Sequence, residues 1–269
     1  MRSGTPASGA SRASTVFVQF GARPEEKGQL VRPGARESYS SDVVARLETD
    51  AAAIIGRYPD ARSALLPLLH LVQAEDGYIT PAGIDFCAAQ LGLTGAEVAA
   101  VATFYSMYRR DETGDYLVGV CTNTLCAIMG GDAILAALEE HLDVSPGETT
   151  TDGKVTLEHI ECNAACDFAP VVMVNWEFFD NQTPESARSV VDSLRSGDSV
   201  TPTRGAPLCT FRETARILAG FPDVRPGALE AGGVADATVA GLRAARERGM
   251  EAPAPESVPR ISESAPKGE

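Results

Sequence analysis

The sequence of 269 residues contains no apolar run near the roughly 18 residues a membrane-spanning helix needs, so no direct membrane insertion is expected. Its first residues lack the continuous apolar core of a secretory signal. Arg2, Arg12 and Arg23 stand there without an acid before Glu25, faintly like a transit peptide, but the Gly and Pro content favours a flexible cytosolic tail. No G-x-G-x-x-G run and no phosphate loop occurs, so the chain has no visible dinucleotide or flavin site of its own. Base is scarce where acid is dense. From Asp111 to Ala187 there are fifteen Asp or Glu residues and one base, Lys154, and this segment accounts for the whole net charge of −14. Nucleic-acid binding, which needs a basic footprint, is excluded on that ground. Histidine is limited to three residues, and only His159 lies near the cysteines. A Rieske-type centre with two His ligands is therefore a poor fit.

Hydrophobic content of 44% and charged content of 22% are ordinary for a folded protein. Residues 1–40, rich in Gly, Ser, Arg and Pro, read as a disordered N-terminal tail. Residues 41–110 read as a helical bundle. Val44, Leu47, Ala51 and Ile54 mark one apolar helix face, and Leu65, Leu66, Leu69 and Val72 mark another that stops at Gly77. Thr80-Pro81 opens a third helix that stops near Gly92. Thr94 and Glu97 have capping-box spacing for a fourth, running to about Met107. Residues 111–200 change character. Tyr116–Val120, Val155–Ile160 and Pro170–Val174 read as strands, with 177–179 returning as a hairpin. Helices are expected over 130–142 and from Thr183-Pro184 to Gly197. This order indicates a compact α/β unit inside an α+β chain. Residues 201–269 hold eight of the 17 prolines and read as a Pro/Gly-rich extension with two short helical patterns, around 211–219 and 235–248. Removing 205–269 is accordingly expected to leave cluster content unchanged.

Four of the six cysteines form a constellation. Cys121 and Cys126 are spaced C-x4-C, Cys162 and Cys166 are spaced C-x3-C, and 35 residues separate the pairs. Each pair follows a strand, so neighbouring strands would bring four thiolates to one edge. Thiolate sulfur is the soft donor that both iron–sulfur clusters and zinc accept. Spacing alone favours a [2Fe–2S] cluster, with structural zinc next and thiol redox chemistry or disulfides last; zinc sites more often use C-x2-C. The other two cysteines read differently. Cys87 falls on an apolar helix side as a small hydrophobe, and Cys209 reads as a free thiol. His70 and His141 read as structural or surface histidines. Phe104, Tyr105 and Tyr108 fit a core or a partner surface equally well.

Several motifs together carry a resemblance. Leu68-Leu69-His70-Leu71-Val72-Gln73 with Asp76-Gly77-Tyr78, Val101-Ala102-Thr103-Phe104-Tyr105, Cys121 and Cys126, Gly147-Glu148-Thr149-Thr150 with Asp152-Gly153, and Glu161-Cys162 with Ala165-Cys166 and Ala169-Pro170-Val171-Val172 all belong to it. Over roughly residues 41–197 the chain resembles the E-subunit family of bacterial NADH-quinone oxidoreductase, the thioredoxin-like iron–sulfur component of respiratory complex I. The resemblance implies a helical N-terminal unit followed by a thioredoxin-like [2Fe–2S] ferredoxin domain. It implies a [2Fe–2S] cluster held by Cys121, Cys126, Cys162 and Cys166, and no complete active site on this chain alone. It also implies docking on a flavin- and NADH-binding subunit among other peripheral-arm subunits. The resulting location is cytoplasmic, peripheral on the inner face of the cell membrane. The same module in an NAD-linked hydrogenase or formate dehydrogenase is the nearest alternative, and a zinc-binding interaction module is an alternative of another class. Two positions stand out. The family often has Gly where Ala164 stands, and Pro170 precedes a strand where such folds place a cis-proline. Glu161 and Asp167 flank the second pair, so a low cluster potential is expected.

Overall fold

The computed structural model describes residues 34–230 and 236–251. The tail expected over 1–40 and the chain end from 252 lie largely outside the described residues. Within them, 34–40 are held down by Asp76, whose buried carboxylate accepts hydrogen bonds from Arg36 Nη1 at 2.8 Å, Tyr39 Oη at 2.6 Å and Thr80 Oγ1 at 2.6 Å. A buried carboxylate needs such donors, and here they order the segment that precedes the first helix.

Four helices then pack around one apolar core: α1 (Ser41–Ile55), α2 (Leu65–Asp76), α3 (Pro81–Leu91) and α4 (Gly95–Phe104). Leu47, Ala51 and Ile54 of α1 face inward as the spacing indicates, while Val43, in place of the expected Val44, packs partly beside them. The caps follow the sequence. Gly77 and Gly92 end α2 and α3 in the left-handed conformation, and Thr94 with Glu97 forms a complete capping box on α4. Buried Gln73 explains its own place in the chain. Its side chain donates to the Met107 carbonyl at 3.0 Å and accepts from the Arg109 amide at 2.7 Å, tying the exit from α4 back to α2. Helix α4 stops at Phe104, three residues before the expected end, because Tyr105 turns to an extended conformation.

The second unit is a four-stranded mixed sheet of β1 (Tyr116–Cys121), β2 (Val155–Ile160), β3 (Val172–Val174) and β4 (Glu177–Phe179), in spatial order β2-β1-β3-β4. Strand β1 pairs parallel to β2, with Cys121 opposite Ile160, and antiparallel to β3. Asn175 and Trp176 have φ of 47° and 69° and make the two-residue turn between β3 and β4 that such a hairpin demands. A short helix, α5 (Thr124–Ile128), starts after Cys121 and carries Cys126, where the sequence reading places only a loop. Helices α6 (Gly131–Leu142) and α7 (Pro184–Ser196) cover one face, where Val118, Val120, Leu157 and Val174 meet Ile134, Leu138, Val191 and Leu194.

The extension departs most from its composition. Helix α8 (Phe211–Leu218) carries its own capping box, with Thr210 and Glu213, and α9 (Asp236–Glu247) follows. Phe211 is fully buried and stacks on Trp176 at 5.6 Å, while Ala219 enters the core of the helical unit. Arg212 donates to the carbonyls of Glu75 and Asp76 at the end of α2. Arg216 pairs with Asp50 of α1 at 2.7 Å. Proline and glycine frequency does not register a short amphipathic helix that binds two units at once.

Candidate metal centre

The parallel pairing of β1 and β2 delivers both cysteine pairs to one end of the sheet. Cys121 is the last residue of β1, and the loop after β2 holds Cys162 and Cys166. Cys126 sits on α5, and Cys166 opens a single 3₁₀ turn, Cys166–Phe168. All four line one small cavity with Asn163, Ala165 and Val171. Cys121 and Cys126 are buried, whereas Cys162 and Cys166 are exposed. Cys87 and Cys209 lie elsewhere: Cys87 is buried in the helical core, and Cys209 is within 3.2 Å of the Thr214 hydroxyl.

The local backbone explains how the loops reach. Gly131 begins α6 directly against the cysteine loop. A methyl group there would meet the Cys121 carbonyl oxygen and lie 2.9 Å from that of Cys126, so no larger residue fits. In the second loop Ala164 adopts φ of 55°, the left-handed region that favours glycine. The peptide bond between Ala169 and Pro170 is cis, the alternative the sequence leaves open for Pro170. Val171 then meets the first pair: its carbonyl accepts the Cys121 amide at 3.1 Å, and its backbone works against the burial that raises the Cys126 thiol.

Burial, then crowding by Cys121, pushes the Cys126 thiol up to about 11. The Cys166 thiol is raised by its hydrogen bond with Cys162 and by the repulsion between them. A bound cation would reverse these shifts, because it stabilises thiolate over thiol. The Cys162 and Cys166 sulfurs are 3.8 Å apart. Two sulfurs bound at ~2.3 Å to one tetrahedral metal stand about 3.8 Å from each other, so this pair needs no rearrangement to grip one ion. Among the described residues, no three His, Cys, Asp or Glu side chains converge on a single ion position. The four sulfurs are arranged two and two, which suits a cluster with two thiolates per iron better than one tetrahedral zinc. The donor set is all sulfur, and His159 is not among the lining residues.

Sequence reasoning missed three features here: the helix under Cys126, the need for Gly131, and Asn123, whose amide reaches both loops. It also missed the ion pair between Arg109 and Glu158, which joins the end of the helical unit to β2. Nothing in the spacing signals where the Asn123 amide will point.

Comparison with known proteins places the arrangement. The family model described as thioredoxin-like [2Fe–2S] ferredoxin matches residues 51–195. The chain is 69% identical over 238 residues to the E subunit of NADH-quinone oxidoreductase from Mycobacterium tuberculosis (strain ATCC 25618 / H37Rv), covering 88% of this chain and 94% of that protein. It is 39% identical over 149 residues to the corresponding protein of Rickettsia conorii (strain ATCC VR-613 / Malish 7), covering 54% of this chain and 89% of that one. Among solved structures, an NAD+-reducing [NiFe]-hydrogenase in the air-oxidised state is similar at a TM-score of 0.45 and 18% identity, over 49% of this chain and 23% of the other.

Proposed function

Because this chain belongs to the E-subunit family of NADH-quinone oxidoreductase, with its thioredoxin-like [2Fe–2S] ferredoxin fold, we propose that Cys121, Cys126, Cys162 and Cys166 hold the cluster and that it exchanges one electron with the flavin of an NADH-oxidising partner. The chain is one component of a multi-subunit oxidoreductase. When bound, a [2Fe–2S] cluster supplies one-electron chemistry at a potential set by its surroundings. The residues of this chain supply the rest. Strands β1 and β2 carry the two cysteine pairs to the same edge, and the Val171 carbonyl holds the Cys121 backbone amide. Buried Cys121 and Cys126 close the inner side against water, while exposed Cys162 and Cys166 leave an outer side for electron exchange.

The observation that carries this reading is the convergence of four free thiols, two and two, at one sheet end. The surface beside them supports a covered site. Ile128 is 75% exposed and Met129 56%, next to the exposed Leu125, so α5 offers an apolar edge to a partner. Among the described residues no single helix is long and apolar enough to cross a membrane. Attachment to the inner face of the membrane would come through the other components of the complex. An anaerobic mixing experiment tests the exchange. The reduced chain, mixed with its oxidised flavin-bearing partner, should lose its paramagnetic signal as the flavin absorbance falls. A signal that persists in a mixture where the two proteins have bound would contradict the relay.

A further inference from the structure

Asn123 lies two residues after Cys121, and its side-chain nitrogen has two acceptors. Nδ2 donates to the Ile160 carbonyl at 3.1 Å and to the Cys121 sulfur at 3.7 Å. The first contact fixes the second. Ile160 is the last residue of β2 and stands opposite Cys121 in the parallel ladder, so its carbonyl reaches toward the first cysteine loop. That carbonyl can only accept. The amide must therefore present nitrogen rather than oxygen to it, and the second hydrogen of the same nitrogen is left for the sulfur. An asparagine turned the other way would set three acceptors together. The amide thus bridges the ends of β1 and β2, the strands that carry the two cysteine pairs.

We infer that Asn123 is a positioning residue for electron transfer: its amide holds the Cys121 thiolate by an N–H···S bond and raises the cluster's reduction potential. This rests on the proposal that Cys121 is a ligand. A hydrogen bond to a ligating sulfur strengthens as the sulfur gains negative charge, and an added electron supplies that charge. The bond therefore favours the reduced state, against the acidity of the surrounding segment. Asn163 provides an internal contrast. It lines the same cavity, but its amide donates to the Glu161 carbonyl at 3.0 Å. The two asparagines share composition and neighbourhood and differ in what they touch.

The test is a redox titration of the full cluster-containing chain, followed by electron paramagnetic resonance. N123A should retain iron and shift the midpoint to lower potential, by more than N163A does. An unchanged or raised midpoint in N123A with its cluster intact would overturn the inference, and so would an equal shift in N163A. Should N123A fail to hold iron, the parent protein decides the matter. With 15N placed in asparagine side-chain amides, its reduced cluster should show a 15N hyperfine coupling that persists in N163A; absence of that coupling would overturn the inference. Failure of the ligand assignment looks different, because C121S would then keep an unaltered cluster signal.

Discussion

Ala164 occupies the left-handed region at φ of 55° between two cysteines, where an L side chain is strained by roughly 1–2 kcal/mol. Glycine costs ~0.5–1 kcal/mol more than alanine in unfolded-chain entropy, so Ala164→Gly should give a net gain of about 1 kcal/mol or slightly less. A higher melting temperature of the cluster-loaded protein is the expected result. An equal or lower one would mean the loop already relieves the strain elsewhere. This also explains in physical terms why the resemblance favours glycine at that position. His70 is a second residue with a measurable consequence. It is buried against Tyr108, its Nδ1 lacks a hydrogen-bond partner, and burial lowers its pKa to about 4. The unfolded chain takes up the proton near pH 6.5 and the folded chain does not until about pH 4, so stability falls as pH drops through that window and is unaffected above it. At pH 5 the loss is about 2 kcal/mol. Denaturant titrations at pH 7 and 5 should show a difference of that size that largely disappears in His70→Gln. A difference preserved in the variant would assign the acid sensitivity to other groups.

At the scale of elements, the start of α6 is the tightest constraint on the site. Gly131→Ala pushes a methyl group into the carbonyls of Cys121 and Cys126, and backbone atoms yield only by moving the loop. The expected outcome is an overpacking cost of ~1–3 kcal/mol and a clear loss of iron per chain relative to the parent. Parent-like iron content would mean that α6 can shift without disturbing the cysteines. Helix α8 makes the complementary case for stability. Phe211 is fully buried, so Phe211→Ala should cost about 3–5 kcal/mol in thermal or denaturant unfolding. A loss too small to measure would make α8 a surface appendage. Truncation before residue 205 removes these same contacts and is expected to lower stability. The elements differ in legibility for a clear reason. Thr94 with Glu97, Thr183 before Pro184, and the apolar step of Leu47, Ala51 and Ile54 act through neighbours in sequence, so they can be read there. The strand ends place the cysteines by the same local logic. Helix α5, the docking of Phe211 on Trp176, and the reach of Asn123 to Ile160 depend on contacts made only after the chain has folded.

Across the whole molecule, charge and structure divide the work between two units. Arg212 and Arg216 tie α8 to the helical unit, while Phe211 against Trp176 and the Arg109–Glu158 pair reach the sheet. The sheet unit carries the excess acid, with Glu161 and Asp167 beside the second cysteine pair. The central claim is that four of the six cysteines, and no others, hold one [2Fe–2S] cluster. Electron paramagnetic resonance of the dithionite-reduced full chain, compared across six single Cys→Ser variants, tests it most directly. The parent, C87S and C209S should give the same signal of one reduced cluster, while C121S, C126S, C162S and C166S should each lose or alter it. A parent protein that is colourless and binds zinc, or an unaltered signal in any of the latter four, would contradict the account.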